Sequence, residues 1–302
     1  MKDFLKSQYR NFLPFSFRVK IRKIKYTYDL KKLRKRIIGY YSKMPSGNIT
    51  NEQLEVLEFI KNNQVCNFPY TFTFGYDAEK ITVFKDENIN LNYVFLDSKR
   101  LYFKRSWTED YIKNYYNLLL IEQNERSPHR YLTDDFFVEN NSVIVDVGVA
   151  EGNFSLGQIE KVKKIYLFET DYEWIEALNA TFEPWKEKVE IINKYASNNN
   201  NGHNISLDSF LINKEKLDFL KIDVDGAEAE VLEGCEKLLN DGTSLKIALC
   251  TYHKQNDGTT FSKLLEDNGF NVSFSNGYMI FINHGLDLKA PYLRRGLIRA
   301  TK

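Results

Sequence analysis

Four side chains that could do chemistry follow apolar runs which the sequence predicts to be strands. Asp146 closes one such run, and Glu169, Asp223 and His253 come directly or shortly after three others. Because ligands of open α/β sheets bind where the parallel strands end, we expect these side chains to line one crevice. Carboxylates accept hydrogen bonds and attract cations, and an imidazole can take up a proton near neutral pH. The pattern therefore predicts a binding site with a candidate general base.

A glycine motif follows Asp146, with Gly148 and Gly152 in the spacing D-x-G-x-x-x-G before a helix that begins near Asn153. Glycine lets the backbone approach a ligand, and the first turn of a helix favours a carboxylate. Asp146 could hold a cationic amino group, so the two features together fit an amino-acid moiety. The alternative is that the glycines serve only a tight turn. The spacing differs from the G-x-G-x-x-G of nicotinamide-cofactor sites.

Glu169 lies 23 residues after Asp146, at the end of the second predicted strand. An acid at this position can accept hydrogen bonds from the two hydroxyls of a ribose. It could instead cap the next helix, although Asp171 is better placed for that. Ala196 and Ser197, which follow the third predicted strand, are the candidates for backbone contact with an adenine.

Short apolar strands alternate with amphipathic helices over residues 136–285, which predicts a parallel sheet covered on both faces. Asn276-Gly277 separates two further apolar runs and predicts a two-residue hairpin. We therefore expect an α/β fold with a Rossmann-like, mostly parallel seven-stranded sheet and a terminal antiparallel hairpin, as in class I methyltransferases. The predicted strands are 143–147, 165–168, 189–192, 217–222, 245–250, 270–275 and 278–282.

The rest of the chain differs in character. Residues 41–135 predict a smaller α+β domain, with capping boxes at Thr50 and Ser106 that open helices and with short strands at 70–76, 81–84 and 91–104. Residues 286–302 predict a basic C-terminal tail. The substrate pocket is expected to draw on the N-terminal domain.

Residues 1–40 predict a basic amphipathic arm, because thirteen Lys or Arg side chains face only Asp3 and Asp29 there and alternate with bulky apolar residues. The arm could pack against the acidic remainder of the chain, could be a partly disordered leader, or could contact an anionic membrane surface from inside the cell. Nucleic acid is not expected as a partner, because the remainder would repel phosphates.

Composition excludes several classes of protein. The chain has 302 residues, and no apolar run approaches the roughly 20 residues of a membrane span. Its three cysteines include no CxxC pair, which argues against a disulfide framework and a cysteine zinc site. We expect a cytoplasmic protein without a metal.

The sequence resembles the FkbM-type family of S-adenosylmethionine-dependent methyltransferases over about residues 136–283. The segments that carry the resemblance are DVGVAEGNFSL, LFETD, ISLDSF, LDFLKIDVDGAEAEVLEGCEKLL and GYMIFI. The resemblance implies an O-methyltransferase with S-adenosyl-L-methionine as cofactor, acting on a sugar, glycan or related small-molecule acceptor, for example in polysaccharide biosynthesis. It implies cofactor roles for Asp146, Gly148, Gly152 and Glu169, and places Asp223 beside the transferred methyl group. It also implies an acidic residue near the end of the fifth strand, about two residues before His253, where this chain has Thr251.

Asp223 and His253 remain the two candidates for the base that accepts the hydroxyl proton. Asp225 and Glu228 are interpreted mainly as a capping pair, and His129 either lines the acceptor pocket or is a loop residue. The alternative function is a non-catalytic methyltransferase-fold scaffold or binding module anchored by the basic arm. A nicotinamide-dependent oxidoreductase is disfavoured by the glycine spacing and the terminal hairpin.

Overall fold

The computed structural model describes residues 15–302, so the first fourteen residues of the predicted arm lie outside the described part. The rest of the arm belongs to helix α1, Phe15–Tyr41. Leu30, Leu33 and Ile37 recur on one face of this helix and are buried. The described part of the arm is thus a helix with one face packed against the protein.

The chain divides into two units at places other than the predicted boundaries near residues 40, 135 and 285. One unit contains the described residues up to Tyr70 together with Ile280–Leu293, and the other contains Thr71–Met279 with Arg294–Lys302.

In the first unit, helix α1 packs against helix α2, Asn51–Asn62. The predicted capping box is confirmed: the Thr50 hydroxyl accepts from the Gln53 amide, and the Gln53 side chain accepts from the Thr50 amide. The segment 280–293 joins this unit through the Tyr41 hydroxyl, which donates to the carbonyl of Pro291.

The second unit is built on a seven-stranded, mostly parallel sheet. Its parallel strands are β4 (Val143–Val147), β5 (Lys164–Phe168), β6 (Val189–Ile192), β9 (Phe219–Ile222) and β10 (Lys246–Cys250). The helices between them are α4 (Asn153–Gln158), α5 (Tyr172–Phe182), α6 (Leu207–Phe210), α7 (Glu228–Glu233) and α8 (Glu236–Asn240), and α9 (Asp257–Asp267) follows β10. A short parallel pair, β7 (Tyr195–Ala196) and β8 (Asn204–Ile205), lies outside the main sheet. Strands β4, β5, β9 and β10 are buried almost throughout, as the sequence predicts, whereas the edge strand β6 is half-buried.

The antiparallel end of the sheet is confirmed, but one of its strands was predicted in the wrong place. Strand β11, Asn271–Phe274, pairs with β12, Leu297–Thr301, which also pairs with β10. The segment 278–282 after Asn276-Gly277 is not a strand, and β12 lies in what we predicted to be a C-terminal tail. Leu297, Ile298 and Ala300 are fully buried, so pairing with a distant apolar segment outweighs the local turn signal.

A small antiparallel sheet precedes the large one, as predicted, with strands β1 (Phe84–Asp86), β2 (Leu91–Leu96) and β3 (Lys99–Tyr102). The segment predicted as a strand at 70–76 is instead a 3₁₀ helix, Thr71–Gly75. Helix α3, Glu109–Glu122, is capped by Thr108 and not by Ser106, whose hydroxyl donates to Glu173. Among residues 15–302, no helix is both long enough and apolar enough to cross a bilayer.

Candidate active site

The strand order of the large sheet is β11-β12-β10-β9-β4-β5-β6, so the connections run in opposite directions on the two sides of the β4–β9 pair. Such a switch point is where open α/β sheets bind ligands. Val147 is in register with both Phe168 and Ile222, so the residues after these three strands meet at one edge. Glu169 and Asp223 therefore lie at the same edge, as predicted.

Glu169 is tied to the backbone around the glycine turn. Its Oε2 accepts from the Ala150 amide at 3.0 Å, and its Oε1 accepts from the amides of Thr170 and Asp171 at 2.7 and 2.8 Å. Asp171 caps α5, so Glu169 does not serve as that cap. Because an ionised carboxylate has about four acceptor positions, Glu169 retains capacity for a further hydroxyl donor.

Asp223 lies in a cluster of hydrogen-bond donors. The Tyr131 hydroxyl donates to Oδ2 at 2.7 Å, and the Tyr252 hydroxyl donates to Oδ1 at 3.0 Å. Nε2 of His129 lies 3.5 Å from Oδ2. Burial opposes ionisation of Asp223, but the hydrogen bond and charge of His129, with the charge of Lys221, outweigh it and hold its pKa well below the usual range. These contacts thus favour the ionised form of Asp223.

His129 is part of this cluster and not a surface loop residue. It is 2% exposed, and its Nε2 also lies 3.3 Å from the Tyr252 hydroxyl and 3.7 Å from Sγ of Cys250. Burial lowers its pKa, but the charge of Glu122 and the contact with Asp223 raise it above the usual value. Burial also raises the pKa of Cys250 well above that of a free thiol, so this thiol is a poor nucleophile.

Asp146, which is predicted to hold a ligand amino group, has its carboxylate paired within the protein. It is fully buried, its Oδ1 lies 3.0 Å from Nζ of Lys221, and its Oδ2 accepts from the Ser155 hydroxyl at 2.7 Å. Lys221 faces it because the two residues are register partners on β4 and β9. The same Nζ donates to the carbonyl of Gly148 at 2.7 Å. The pair fixes the glycine turn from inside the protein.

Both glycines of the motif are required by packing within the chain. Gly148 has φ +75°, and a Cβ there would lie 2.0 Å from the backbone oxygen of Asp223. Gly152, with φ +86°, precedes α4, and a Cβ would press on Leu178 and Phe182 of α5. The observed neighbours therefore support the tight-turn alternative that the sequence left open.

The remaining cofactor candidates also have partners within the protein. Asn153 begins α4 and lines a cavity of about 180 Å³ that neither Glu169 nor Asp223 lines. Ala196 is buried in β7, and the Ser197 amide donates to the carbonyl of Ile205 at 3.0 Å. The amide proton of Ser197 is therefore already donated within the protein, and the backbone contact of Ala196 and Ser197 with an adenine stays a prediction.

His253 and Glu228 form a buried pair next to Asp223. Nδ1 of His253 lies 2.7 Å from Oε1 of Glu228, and the two side chains are 4% and 1% exposed. Burial lowers the pKa of His253, but Glu228 and the charges of Asp223 and Asp225 outweigh it and raise the pKa above its usual value. The predicted capping role is wrong, because α7 has Ala227 at its N-cap and no side-chain cap. Glu228 instead orients an imidazole.

Two groups of side chains at this edge have ligand atoms close enough to hold a metal ion. One consists of His129, Asp223 and Cys250, the other of Asp223, Glu228 and His253, and in each the ligand atoms lie within 4.8 Å of one another. A metal requires deprotonated ligands, so its binding at either group would release the protons that these side chains hold. The same geometry suits proton transfer without a metal.

Lys221, Tyr131 and Tyr252 are not among the site residues that the sequence predicts. Lys221 offered a signal, because a lysine between the apolar residues of a central strand needs a buried acid as partner. The two tyrosines offered none, since they lie far from Asp223 in sequence and meet it only in the folded chain.

Comparison with known proteins gives a family match for part of the chain. Residues 203–272 match the family model described as the methyltransferase FkbM domain, which confirms the predicted resemblance over those residues. No curated protein matches the chain.

Several solved structures are similar to the chain. Methyltransferase FkbM from Methylobacillus flagellatus KT has 14% identity and a TM-score of 0.45, over 65% of this chain and 54% of that one, so this chain spans about half its length. An rRNA methylase from Streptococcus thermophilus has 18% identity and a TM-score of 0.35, over 55% and 89%. TrmK from M. capricolum, in complex with S-adenosyl-homocysteine, has 15% identity and a TM-score of 0.36, over 57% and 69%. Lys221, Asp223 and Glu228 all lie within residues 203–272, the segment that matches the methyltransferase FkbM domain.

Proposed function

We propose that the protein is an S-adenosylmethionine-dependent methyltransferase that methylates a hydroxyl group of a sugar, glycan or related small molecule. The observation that carries the proposal is the meeting of Glu169, Asp223 and the His253–Glu228 pair beside the β4–β9 switch point. The family match over residues 203–272 supports the reaction class. The acceptor class rests on the resemblance to FkbM-type enzymes.

The side chains at this edge fit the cofactor in two places. Glu169 can accept a hydrogen bond from a ribose hydroxyl at the acceptor position that its three backbone contacts leave. The ionised form of Asp223 is favoured by its neighbours, and a carboxylate suits a positively charged sulfonium. Asp146 does not fit, because Lys221 and Ser155 occupy its carboxylate. When bound, S-adenosylmethionine supplies an electrophilic methyl group.

His253 is the better of the two candidate bases. Asp223 accepts hydrogen bonds from two tyrosine hydroxyls and its pKa is lowered, so it is a weak proton acceptor. Nδ1 of His253 faces Glu228, which favours the tautomer with the proton on Nδ1 and the lone pair on Nε2. Nε2, which lies 3.7 Å from Oδ1 of Asp225, can then take the proton of the acceptor hydroxyl, while Glu228 stabilises the imidazolium. General-base catalysis of this kind typically contributes about 10²- to 10⁴-fold.

The cofactor part of the proposal is tested by calorimetry with S-adenosylhomocysteine. We expect binding by the wild-type protein and at least ~10-fold weaker binding by Glu169→Gln, because hydrogen bonds to a charged acceptor contribute about 1.5–3 kcal/mol. Glu236→Gln is the matched control, since Glu236 is exposed on α8. Circular dichroism shows whether each variant folds. Absence of binding by the folded wild-type protein would leave the non-catalytic scaffold as the better description.

The chemical part is tested with labelled S-adenosylmethionine and a panel of sugars, glycans and polyols, with amines as the contrasting acceptors. We expect label transfer to a hydroxyl, and a loss of about 10²-fold or more in His253→Gln with S-adenosylhomocysteine binding retained. Transfer only to amines would refute O-methylation. Full activity of His253→Gln would refute the assignment of the base.

A further inference from the structure

Helix α1 has two opposite faces with different surroundings. Leu30, Leu33, Ile37 and Tyr41 follow helical spacing and are no more than 2% exposed. This face packs within the first unit, where the Tyr41 hydroxyl donates to the carbonyl of Pro291. Its burial fixes the rotation of the helix about its axis, and therefore fixes which residues face outward.

The opposite face is exposed and combines apolar side chains with cations. Ile21, Ile24, Tyr28, Lys31 and Lys35 are three or four residues apart, so they lie along one line on the helix surface. Ile24 is 62% exposed and Tyr28 is 66% exposed, and both lysines are exposed as well. We call these five residues and Lys25 the outer face of α1.

The charge of this helix is strongly one-sided. Residues 19–41 contain nine Lys or Arg and a single acid, Asp29. Arg36 is the cation that reaches an acid, Asp287, at 4.0 Å. Within the described part of the chain, Lys25, Lys31 and Lys35 form no ion pair within that distance. Their charge is therefore directed to the surroundings of the protein.

We propose that the outer face of α1 binds an anionic membrane surface. Lipid headgroups neutralise the lysines, and the boundary between headgroups and acyl chains accepts Ile24 and Tyr28. Nucleic acid would satisfy the lysines and the tyrosine but would leave the aliphatic Ile21 and Ile24 in water. The line of alternating apolar and cationic side chains thus favours a lipid surface. This site lies in the first unit and does not depend on the proposed methyl transfer.

The experiment is co-sedimentation of the full-length protein with vesicles of phosphatidylcholine alone or with phosphatidylglycerol added. We expect binding only to the anionic vesicles, weakening as salt is raised. A lysine near such a surface contributes roughly fivefold to partitioning, so the triple variant Lys25→Glu, Lys31→Glu and Lys35→Glu should bind ~100-fold more weakly.

The matched control is the triple variant Lys80→Glu, Lys216→Glu and Lys237→Glu, which changes the net charge equally at exposed lysines elsewhere. It should bind like the wild-type protein. Equal weakening of the two triple variants would overturn the proposal, because net charge alone would then explain binding. So would failure of the wild-type protein to sediment with anionic vesicles.

A second variant, Ile24→Ser with Tyr28→Ser, keeps every cation and removes exposed apolar area. We expect it to bind anionic vesicles about 10-fold more weakly or worse, since full burial of such a side chain is worth about 1.5–3 kcal/mol. If this variant binds vesicles unchanged, and the wild-type protein binds an RNA homopolymer as tightly at the same salt, the face is a polyanion site and the membrane proposal fails.

Discussion

Replacing Lys221 with methionine should destabilise the fold far more than the loss of an exposed ion pair. Nζ of Lys221 lies 3.0 Å from Oδ1 of Asp146 and donates to the carbonyl of Gly148, and both charged side chains are almost fully buried. Methionine keeps the apolar stem but leaves the Asp146 charge buried with the Ser155 hydroxyl as donor and without the cation that neutralised it. Breaking a buried pair in this way costs about 3–5 kcal/mol, and the hydrogen bond to Gly148 adds about 1 kcal/mol. We therefore expect Lys221→Met to lower the free energy of unfolding by roughly 4–6 kcal/mol.

The measurement is urea unfolding followed by circular dichroism, for Lys221→Met, Asp146→Asn and the double variant. The double variant removes both charges, so it should be less destabilised than the sum of the single variants, with a coupling of at least about 2 kcal/mol. Lys163→Met is the matched control. Its partner Glu215 lies 2.8 Å away, but both side chains are about half exposed, so the loss should stay below about 1 kcal/mol.

Two results would refute this reasoning. One is a loss for Lys221→Met no larger than that for Lys163→Met, and the other is additivity of the two single variants within about 0.5 kcal/mol. The cycle also tests the role of Asp146. If Asp146→Asn keeps the stability of the wild-type protein and loses affinity for S-adenosylhomocysteine, Asp146 is a direct cofactor contact after all.

Two further predictions concern the turn and the base. Gly148→Ala should prevent stable folding, because its Cβ would lie 2.0 Å from the backbone oxygen of Asp223. Gly157→Ala is the control, since it has open space in a helix and should be neutral or up to about 1 kcal/mol stabilising. Thermal melts compare the two variants, and equal melting temperatures would contradict this prediction. NMR of the ring protons should give His253 a pKa above the usual 6.5, because Glu228 favours the charged imidazolium. Glu228→Gln should lower this pKa, and an unchanged pKa in that variant would refute the pairing of the two side chains. Because folding raises this pKa, the stabilisation from His253 is complete below about pH 6.5 and is lost as the pH rises through the folded-state value.

The sheet around the site could be predicted because its signals are local. The strands 143–147 and 189–192 and the helix 172–182 have the bounds that apolar runs and flanking polar residues indicate. Parallel strands buried on both faces are continuous apolar runs, and such runs are visible without knowledge of the partner strand. Glu169 and Asp223 each follow one of these runs, so the sequence alone predicts that they lie at the same edge of the sheet.

The last strand could not be predicted in this way, because it depends on a distant segment. Asn276-Gly277 is a strong local hairpin signal, yet the segment that follows it belongs to the first unit, and β12 comes some twenty residues later. Leu297–Thr301 fills the space between β10 and β11 and buries its apolar side chains there. A turn signal specifies the turn, but burial decides which strand pairs.

The choice of His253 as the proposed base also depends on contacts between residues that are distant in sequence. Asp146 and Asp223 both lie where an apolar strand ends, so the sequence gives them equal standing as ligand contacts. The register of β4 against β9 pairs Asp146 with Lys221, while the fold brings Tyr131 and Tyr252 to Asp223. Asp146 is therefore buried in the core with its charge balanced by Lys221, and Asp223 lies at the edge of the sheet with its ionised form favoured. Since neither is a good proton acceptor, the methyl transfer that we propose assigns proton removal to His253, which the buried Glu228 orients.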